Sequence, residues 1–364
     1  MQNTNAFHGS DVEAVEDIYK IKKEGITNFS SNVNPLGISP KLRKTLAQRI
    51  DVISTYPDRN YKCLRIAIGE YIHADYQNIL VGNGSTELIS LLIQMRKPKT
   101  ALLLGPTYSE YERELSLRGS AITYYYLKEK DEFELDYRDF KSSINENIDM
   151  LILCNPNNPT STCLDNRRLK MVLSLCRKYG ILVLIDETYV EFVTDVEAVT
   201  AVPLTTVYDN LVVLRGVSKF FAAPGLRLGY AVSGNFEFLD FMNEKKNPWS
   251  INSLAEVAGS VIFSDTAYIE KTRRLIDDER NFMYEELSRL PKLKVYRPTG
   301  NFILVRIEDK SVTAQDFFEF CIKRGLMIRD CSSFASLKDY FVRFCIMQPE
   351  KNRELLRCFK EYFY

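Results

Sequence analysis

Lys219 is the side chain in this sequence best placed to act as a nucleophilic amine. It lies in the run RGVSKFFAAPGLRLGY, just after the apolar stretch Leu211–Leu214, with Ser218 before it and Arg227 eight residues on in a loop framed by glycine and proline. A lysine partly out of water and close to a second cation has a lowered pKa, which suits an amine that forms imines. A fixed arginine beside a hydroxyl suits a phosphate. Asp186 ends the apolar run ILVLID. A carboxylate at a buried strand end needs a partner, and a protonated ring nitrogen would be one. Tyr189, three residues further on, could lay its phenol beside the same ring.

Three more polar runs follow apolar stretches. Gly82-Asn83-Gly84-Ser85-Thr86-Glu87 stands between a strand signal and a helix signal, where backbone N–H groups of Gly84, Ser85 and Thr86 would make an anion site. Asn158, in the run NPNNPTS after LILC, is placed to donate to a ring oxygen. Tyr108, after ALLL, could stack on an aromatic ligand. Each residue also has an ordinary use: a helix cap for Ser85 or Thr86, turn chemistry for Asn158, core packing for the tyrosines, a salt bridge for Asp186. Together they supply an imine-forming lysine, an acid for a pyridine nitrogen, ring donors and a phosphate cup. Those are the needs of pyridoxal 5′-phosphate (PLP), with Lys219, Asp186 and Tyr189 as the catalytic set.

The elements that must position these residues alternate between strand and helix, which predicts an α/β fold with a mostly parallel sheet flanked by helices. Strand signals fall at Ile79–Val81, Ala101–Leu104, Ala121–Tyr126, Met150–Cys154, Ile181–Ile185, Leu211–Leu214 and Tyr230–Ser233, with helical patterns such as Ser85–Met95 and Asn166–Lys178 between them. In such a sheet ligands sit beyond the carboxyl ends of the strands, where the polar runs lie. After Pro248 the pattern changes to one long amphipathic stretch over Leu254–Leu290. Strand-like Phe302–Arg306 and Tyr340–Ile346 and helical Ala314–Arg324 and Glu350–Phe363 follow. The expected division is a large cofactor domain over 46–248 and a smaller α+β domain from 1–45 and 249–364.

Composition narrows the partners. The 364 residues suffice for two such domains. Lys plus Arg (48) equals Asp plus Glu (48), so no basic surplus draws nucleic acid or an anionic membrane. The eight cysteines, at 63, 154, 163, 176, 321, 331, 345 and 358, include no C-x-x-C pair. They read as buried reduced thiols, and no metal is expected. No apolar run nears the ~20 residues that span a bilayer, and the N-terminus has no signal-peptide core, so the expected location is the cytoplasm.

With these motifs in view, the chain resembles the fold-type-I PLP enzymes, the aspartate-aminotransferase-like superfamily, along essentially its whole length. Asn158-Pro159-Thr160-Ser161 resembles the family's N-P-T-G, Asp186–Tyr189 its D-x-x-Y, and Ser218-Lys219 with Gly225–Tyr230 its S-K and G-L-R-L-G-Y. Tyr56-Pro57-Asp58 resembles the family's Y-P-D, which implies a homodimer in which Tyr56 reaches the cofactor phosphate of the neighbouring subunit. Within the superfamily the chain is similar to threonine-phosphate decarboxylase and histidinol-phosphate aminotransferase. The similarity lies in His8-Gly9-Ser10, the run Asn28–Gly37, Asn247–Asn252 and Met327–Cys331. That likeness implies that Arg343 binds a substrate carboxylate and that Arg329, His8 and Asn32 surround a substrate phosphate. The chain is also similar to aminotransferase domains joined to nucleotidyltransferases in phosphonate pathways. It departs from the family at Ser161 and Ser10, where glycine is usual, and at Gly216, where Ser or Thr would add a hydroxyl to the phosphate cup.

The expected activity is amino transfer between a small phosphate- or phosphonate-bearing amine or amino acid, of the 2-aminoethylphosphonate or histidinol-phosphate type, and a keto acid. The alternative is decarboxylation of O-phospho-L-threonine or O-phospho-L-serine. Both start with imine exchange at Lys219 and differ in which bond to the substrate carbon aligns with the ring's π-system. A dinucleotide-binding oxidoreductase is disfavoured, since no G-x-G-x-x-G follows an early strand.

Overall fold

The runs MLILC, LVLID and LVVLRG offer water almost no polar face, and they form strands covered on both sides. In the computed structural model, which describes Phe7, Gly9 and residues 11–364, they are the centre of a seven-stranded sheet. Its strands are β1 (Ile79–Gly82), β2 (Thr100–Gly105), β3 (Ala121–Tyr126), β4 (Met150–Cys154), β5 (Leu182–Asp186), β6 (Leu211–Gly216) and β7 (Gly229–Val232), in the spatial order β1-β7-β6-β5-β4-β2-β3. β7 is antiparallel to both its neighbours, and every other adjacent pair is parallel. The α/β fold class is as expected, and the strands lie within two residues of their expected ends. β3 alternates between exposed and partly buried side chains along most of its length, as befits the sheet's edge.

Helices follow the strands that carry the polar runs. α1 (Gly84–Arg96) follows β1, α2 (Ser109–Leu117) follows β2, and α3 (Asn166–Lys178) follows β4. Asp165 caps α3 by accepting from the Arg168 N–H. The long amphipathic stretch comprises two helices, α4 (Ser253–Ile262) and α5 (Thr266–Leu287). Asp265 ends the run because its carboxylate accepts from the Tyr268 N–H and starts a new helix. A second sheet, wholly antiparallel, has β8 (Leu293–Val295), β9 (Phe302–Ile307), β10 (Arg329–Asp330) and β11 (Phe341–Cys345) in the order β10-β11-β9-β8. α6 (Ala314–Ile322) and α7 (Pro349–Phe363) pack with it.

The N-terminal segment joins the two sheets. Thr27–Asn28 pairs in parallel with Leu326–Met327. The Phe29 carbonyl accepts from the N–H of Cys345 at 2.8 Å, and Asn34 donates its own N–H to the Lys219 carbonyl at 3.0 Å. The eight cysteines are free thiols, but the expectation that all are buried fails at Cys63, which is exposed, and Cys163, which is half-buried. Both lie off the continuous apolar strands. Among the described residues no helix is long and apolar enough to cross a membrane.

One buried charge cluster ties β5 to β6. Arg215 donates to Glu187 at 2.9 Å and to the Thr200 hydroxyl at 2.6 Å, and lies 3.9 Å from Glu191. All three charged groups are buried. Burial pushes the Glu191 carboxyl up to about 7, with Arg215 opposing the rise. Removing the arginine would strand two buried carboxylates, so Arg215→Met is expected to cost about 3–5 kcal/mol of stability. The shift in denaturant midpoint measures this.

Candidate active site

A cleft of about 420 Å³ opens at the carboxyl ends of β4, β5 and β6. Each strand delivers one of the expected residues: Asn158 after β4, Asp186 at the end of β5, Lys219 after β6. Ser85, Thr86, Tyr108, Tyr189, Ser218 and Arg227 line the same cleft. A recess of about 110 Å³ adjoins it, shares Tyr108 and Asn158, and carries Arg329 and Arg343 in its wall.

The Lys219 amine donates to the Ser31 carbonyl at 2.7 Å. Burial, then the nearby Arg343 and Arg227, push its pKa down to about 8. The sequence pointed to Arg227 as the neighbouring cation; Arg343, which is buried where Arg227 is exposed, has the larger effect. Asp186 is buried and accepts from the Tyr111 hydroxyl at 2.6 Å and from the Thr188 N–H and hydroxyl at 2.9 and 2.5 Å. Burial raises its pKa, and these hydrogen bonds pull against the rise. A cationic ring nitrogen is the partner that would keep it a carboxylate. Tyr111 and Thr188 were missed in the sequence. Tyr111 stands in the first turn of α2, three residues after Tyr108, which precedes the helix, and Thr188 lies inside the Asp186–Tyr189 spacing, so both signals were local.

The phosphate cup is built by close approach of backbone. Asn83 heads α1 without a side-chain cap, which leaves the first-turn N–H groups of Ser85 and Thr86 to face an anion. Neither Ser85 nor Thr86 is the capping residue. Gly84 has φ +79°, and a Cβ there would sit 2.6 Å from the Arg227 guanidinium. A Cβ on Gly229 would sit 2.5 Å from the Ser85 nitrogen. Gly229 is therefore required by backbone crowding, and Gly84 by its left-handed φ. At Gly216 a Cβ would meet nothing closer than the Leu228 carbonyl at 3.5 Å, so the missing hydroxyl there is not imposed by crowding.

Of the residues expected to receive a substrate, Arg343 is buried, donates to the Ser30 carbonyl at 2.6 Å and to the Asn158 side-chain oxygen, and leaves its Nε without a partner. Arg329 donates to the Ser333 hydroxyl at 2.7 Å and to the Phe7 carbonyl. Asn32 donates to the Tyr189 hydroxyl at 3.3 Å, and its own oxygen has no partner. His8 lies outside the described residues. Tyr56 is not in this chain's cleft. It is 81 % exposed and packs on Trp249 with ring centroids 5.1 Å apart. Burial raises Tyr108 to about 12 and raises Tyr189 as well, so both phenols stay protonated donors.

The cradle and the orphaned buried atoms Ser30 Oγ, Asn32 Oδ1 and Arg343 Nε fit a phosphate-bearing aromatic cofactor with an anionic substrate above it. The fold and the cleft define a pyridoxal-phosphate enzyme of fold type I. Residues 24–359 match the family model of aminotransferase class I and II, and the chain belongs to that family, with pyridoxal 5′-phosphate as its cofactor. It is 30 % identical to the threonine-phosphate decarboxylase of Salmonella typhimurium over 97 % of this chain and 95 % of that one. It is 31 % identical to the histidinol-phosphate aminotransferase of Methanocaldococcus jannaschii over 97 % and 93 %. The crystal structure of the histidinol-phosphate aminotransferase from Clostridium acetobutylicum superposes with a TM-score of 0.86 at 34 % identity, covering 92 % of this chain and 98 % of that one.

Two outcomes are expected. Gly229→Ala should weaken cofactor binding about tenfold or more by pushing on the Ser85 backbone, while Gly216→Ser should bind at least as well as wild type. Cofactor titration followed by absorbance separates them. The Lys219 amine reacts only when neutral, a form gained as pH rises through about 8 rather than through the ordinary 10.5. Borohydride trapping of the cofactor on cofactor-free protein should show that midpoint. Arg343→Gln should move it upward, because a cation that lowers the pKa is gone.

Proposed function

We propose that this protein is an aminotransferase for a small amine or amino acid bearing a phosphate or phosphonate, with a keto acid as its second substrate. The observation that carries the reading is the pairing of Arg329 with Arg343, directly opposite each other across β10 and β11 in the wall beside Lys219. Like charges so placed repel unless an anion lies between or beside them. Arg343, whose only acceptors among the described residues are neutral, takes the carboxylate of the amino or keto acid. Arg329, with Asn32 and His8, takes the phosphate or phosphonate.

Bound PLP supplies an electron sink for the pair left on the substrate carbon. Asp186, fixed by Tyr111 and Thr188, holds the ring nitrogen protonated. Tyr189 and Asn158 orient the ring, and Ser85, Thr86, Ser218 and Arg227 hold the phosphate. The Lys219 amine takes the proton from the substrate carbon and hands it on. A lysine lowered to about 8 is suited to that task, since a useful fraction is free base near neutral pH. Loss of CO₂ would still need a proton delivered to that carbon, so the Lys219 amine serves either reaction. In this reading residues 46–248 form the cofactor domain, 1–45 and 249–364 the smaller one. A second copy of the chain brings Tyr56 to the phosphate.

The likeness to threonine-phosphate decarboxylase supports a second reading, decarboxylation of O-phospho-L-threonine or O-phospho-L-serine. Incubation with those compounds, with histidinol phosphate, or with 2-aminoethylphosphonate and pyruvate separates the two. The expected result is a new amino acid formed from the keto acid. CO₂ release that needs no keto acid would overturn amino transfer in favour of the second reading. Lys219→Ala should lose the visible absorbance of the bound cofactor and nearly all turnover.

A further inference from the structure

Ser161 occupies a position where the resembling motif has glycine, and its φ is +61°. A side chain there carries a steric cost that glycine avoids. The Ser161 hydroxyl accepts from the N–H of Gly300 at 2.9 Å and of Thr299 at 3.3 Å. Its carbonyl accepts from the Thr299 N–H at 3.0 Å and from the Thr299 hydroxyl. From the opposite side Arg280 of α5, also buried, donates to the carbonyls of Thr299 at 2.8 Å, Gly300 at 3.1 Å and Phe192 at 2.9 Å. The turn at 299–300 is thus held through its N–H groups by the loop that carries Asn158 and through its C=O groups by Arg280.

That turn leads straight to the substrate wall. Asn301 donates to the Asn32 carbonyl at 3.0 Å, and its own carbonyl accepts from the Ile346 N–H at 2.7 Å, just past the strand that bears Arg343. Phe302 packs edge-on against Tyr189 with centroids 4.9 Å apart. We infer that Ser161 is a positioning residue. Its hydroxyl fastens the leading turn of the second sheet to the cofactor loop, so that Asn32 and Arg343 are preset over Lys219 before a substrate arrives. The inference rests on the reading that Asn32 and Arg343 receive the substrate, and it gives the departure from glycine a purpose: the hydroxyl offsets a strained backbone by setting the substrate wall.

The test compares wild type with Ser161→Gly and Ser161→Ala. Glycine removes both hydroxyl and strain, so this variant folds even if the alanine variant does not. In protein with PLP but no substrate, amide exchange at residues 299–302 should speed up about tenfold in Ser161→Gly. Binding of O-phospho-L-threonine or histidinol phosphate should weaken about 5–10-fold, while cofactor affinity and visible absorbance stay as in wild type. Unchanged exchange, or faster exchange with unchanged binding of both compounds, would overturn the inference and leave the proposed function intact. If wild type binds neither compound nor 2-aminoethylphosphonate, the proposed function fails, and unchanged exchange at 299–302 in Ser161→Gly would overturn the clasp separately.

Discussion

A lysine amine whose proton affinity is lowered inside a site that carries fixed cations is the constraint on which the cleft is built. Anionic ligands require fixed cations, and fixed cations in a dry site depress a neighbouring amine. Arg343 and Arg227 both lower Lys219, and both line the cavities around it. The Ser31 carbonyl receives the amine without adding a charge that would restore its proton affinity. At Asp186 the logic reverses: burial raises the carboxyl's pKa, and hydrogen bonds from Thr188 and Tyr111 pull against the rise.

The fold meets this constraint by bringing three separate stretches to one point. Parallel strands end together and deliver Asn158, Asp186 and Lys219 from three consecutive sheet positions. The segment at 29–34 passes over those ends. Asn34 donates its side chain to the Phe220 carbonyl at 2.7 Å and to the Thr272 hydroxyl at 2.9 Å, which pins the segment between the Lys219 loop and α5. The second sheet then closes the wall with residues whose side chains point out of a strand, a more rigid support than a loop.

The cofactor half of this arrangement was legible in the sequence because it is local. Lys219, Asp186, Asn158 and the run from Gly84 to Thr86 each follow an apolar strand that announces itself by composition. The other half is carried by backbone groups and by partners far apart in the chain. Nothing in the type of Ser31 tells that its carbonyl will receive an amine 188 positions away. Arg280 reads as an ordinary charge on an amphipathic helix, yet it holds three backbone carbonyls. The break between α4 and α5 was hidden because apolar residues keep helical spacing across it, and only the capping by Asp265 ends the turn. Tyr56 is legible by motif alone, since its own chain leaves it on the surface.

The short β10 and its neighbour β11 differ in how firmly they are held in the sheet. β11 is locked in register by β9 on its other edge, so the position of Arg343 does not depend on the connection that follows β10. That connection, residues 331–340, contributes Ser333, Phe334 and Ala335 to the recess. Its length can therefore change without displacing Arg343 from the sheet. Diversification toward larger or smaller ligands has one inexpensive route open to it, through insertions and deletions in a single surface connection, while the charge receptor beneath stays where the strands put it.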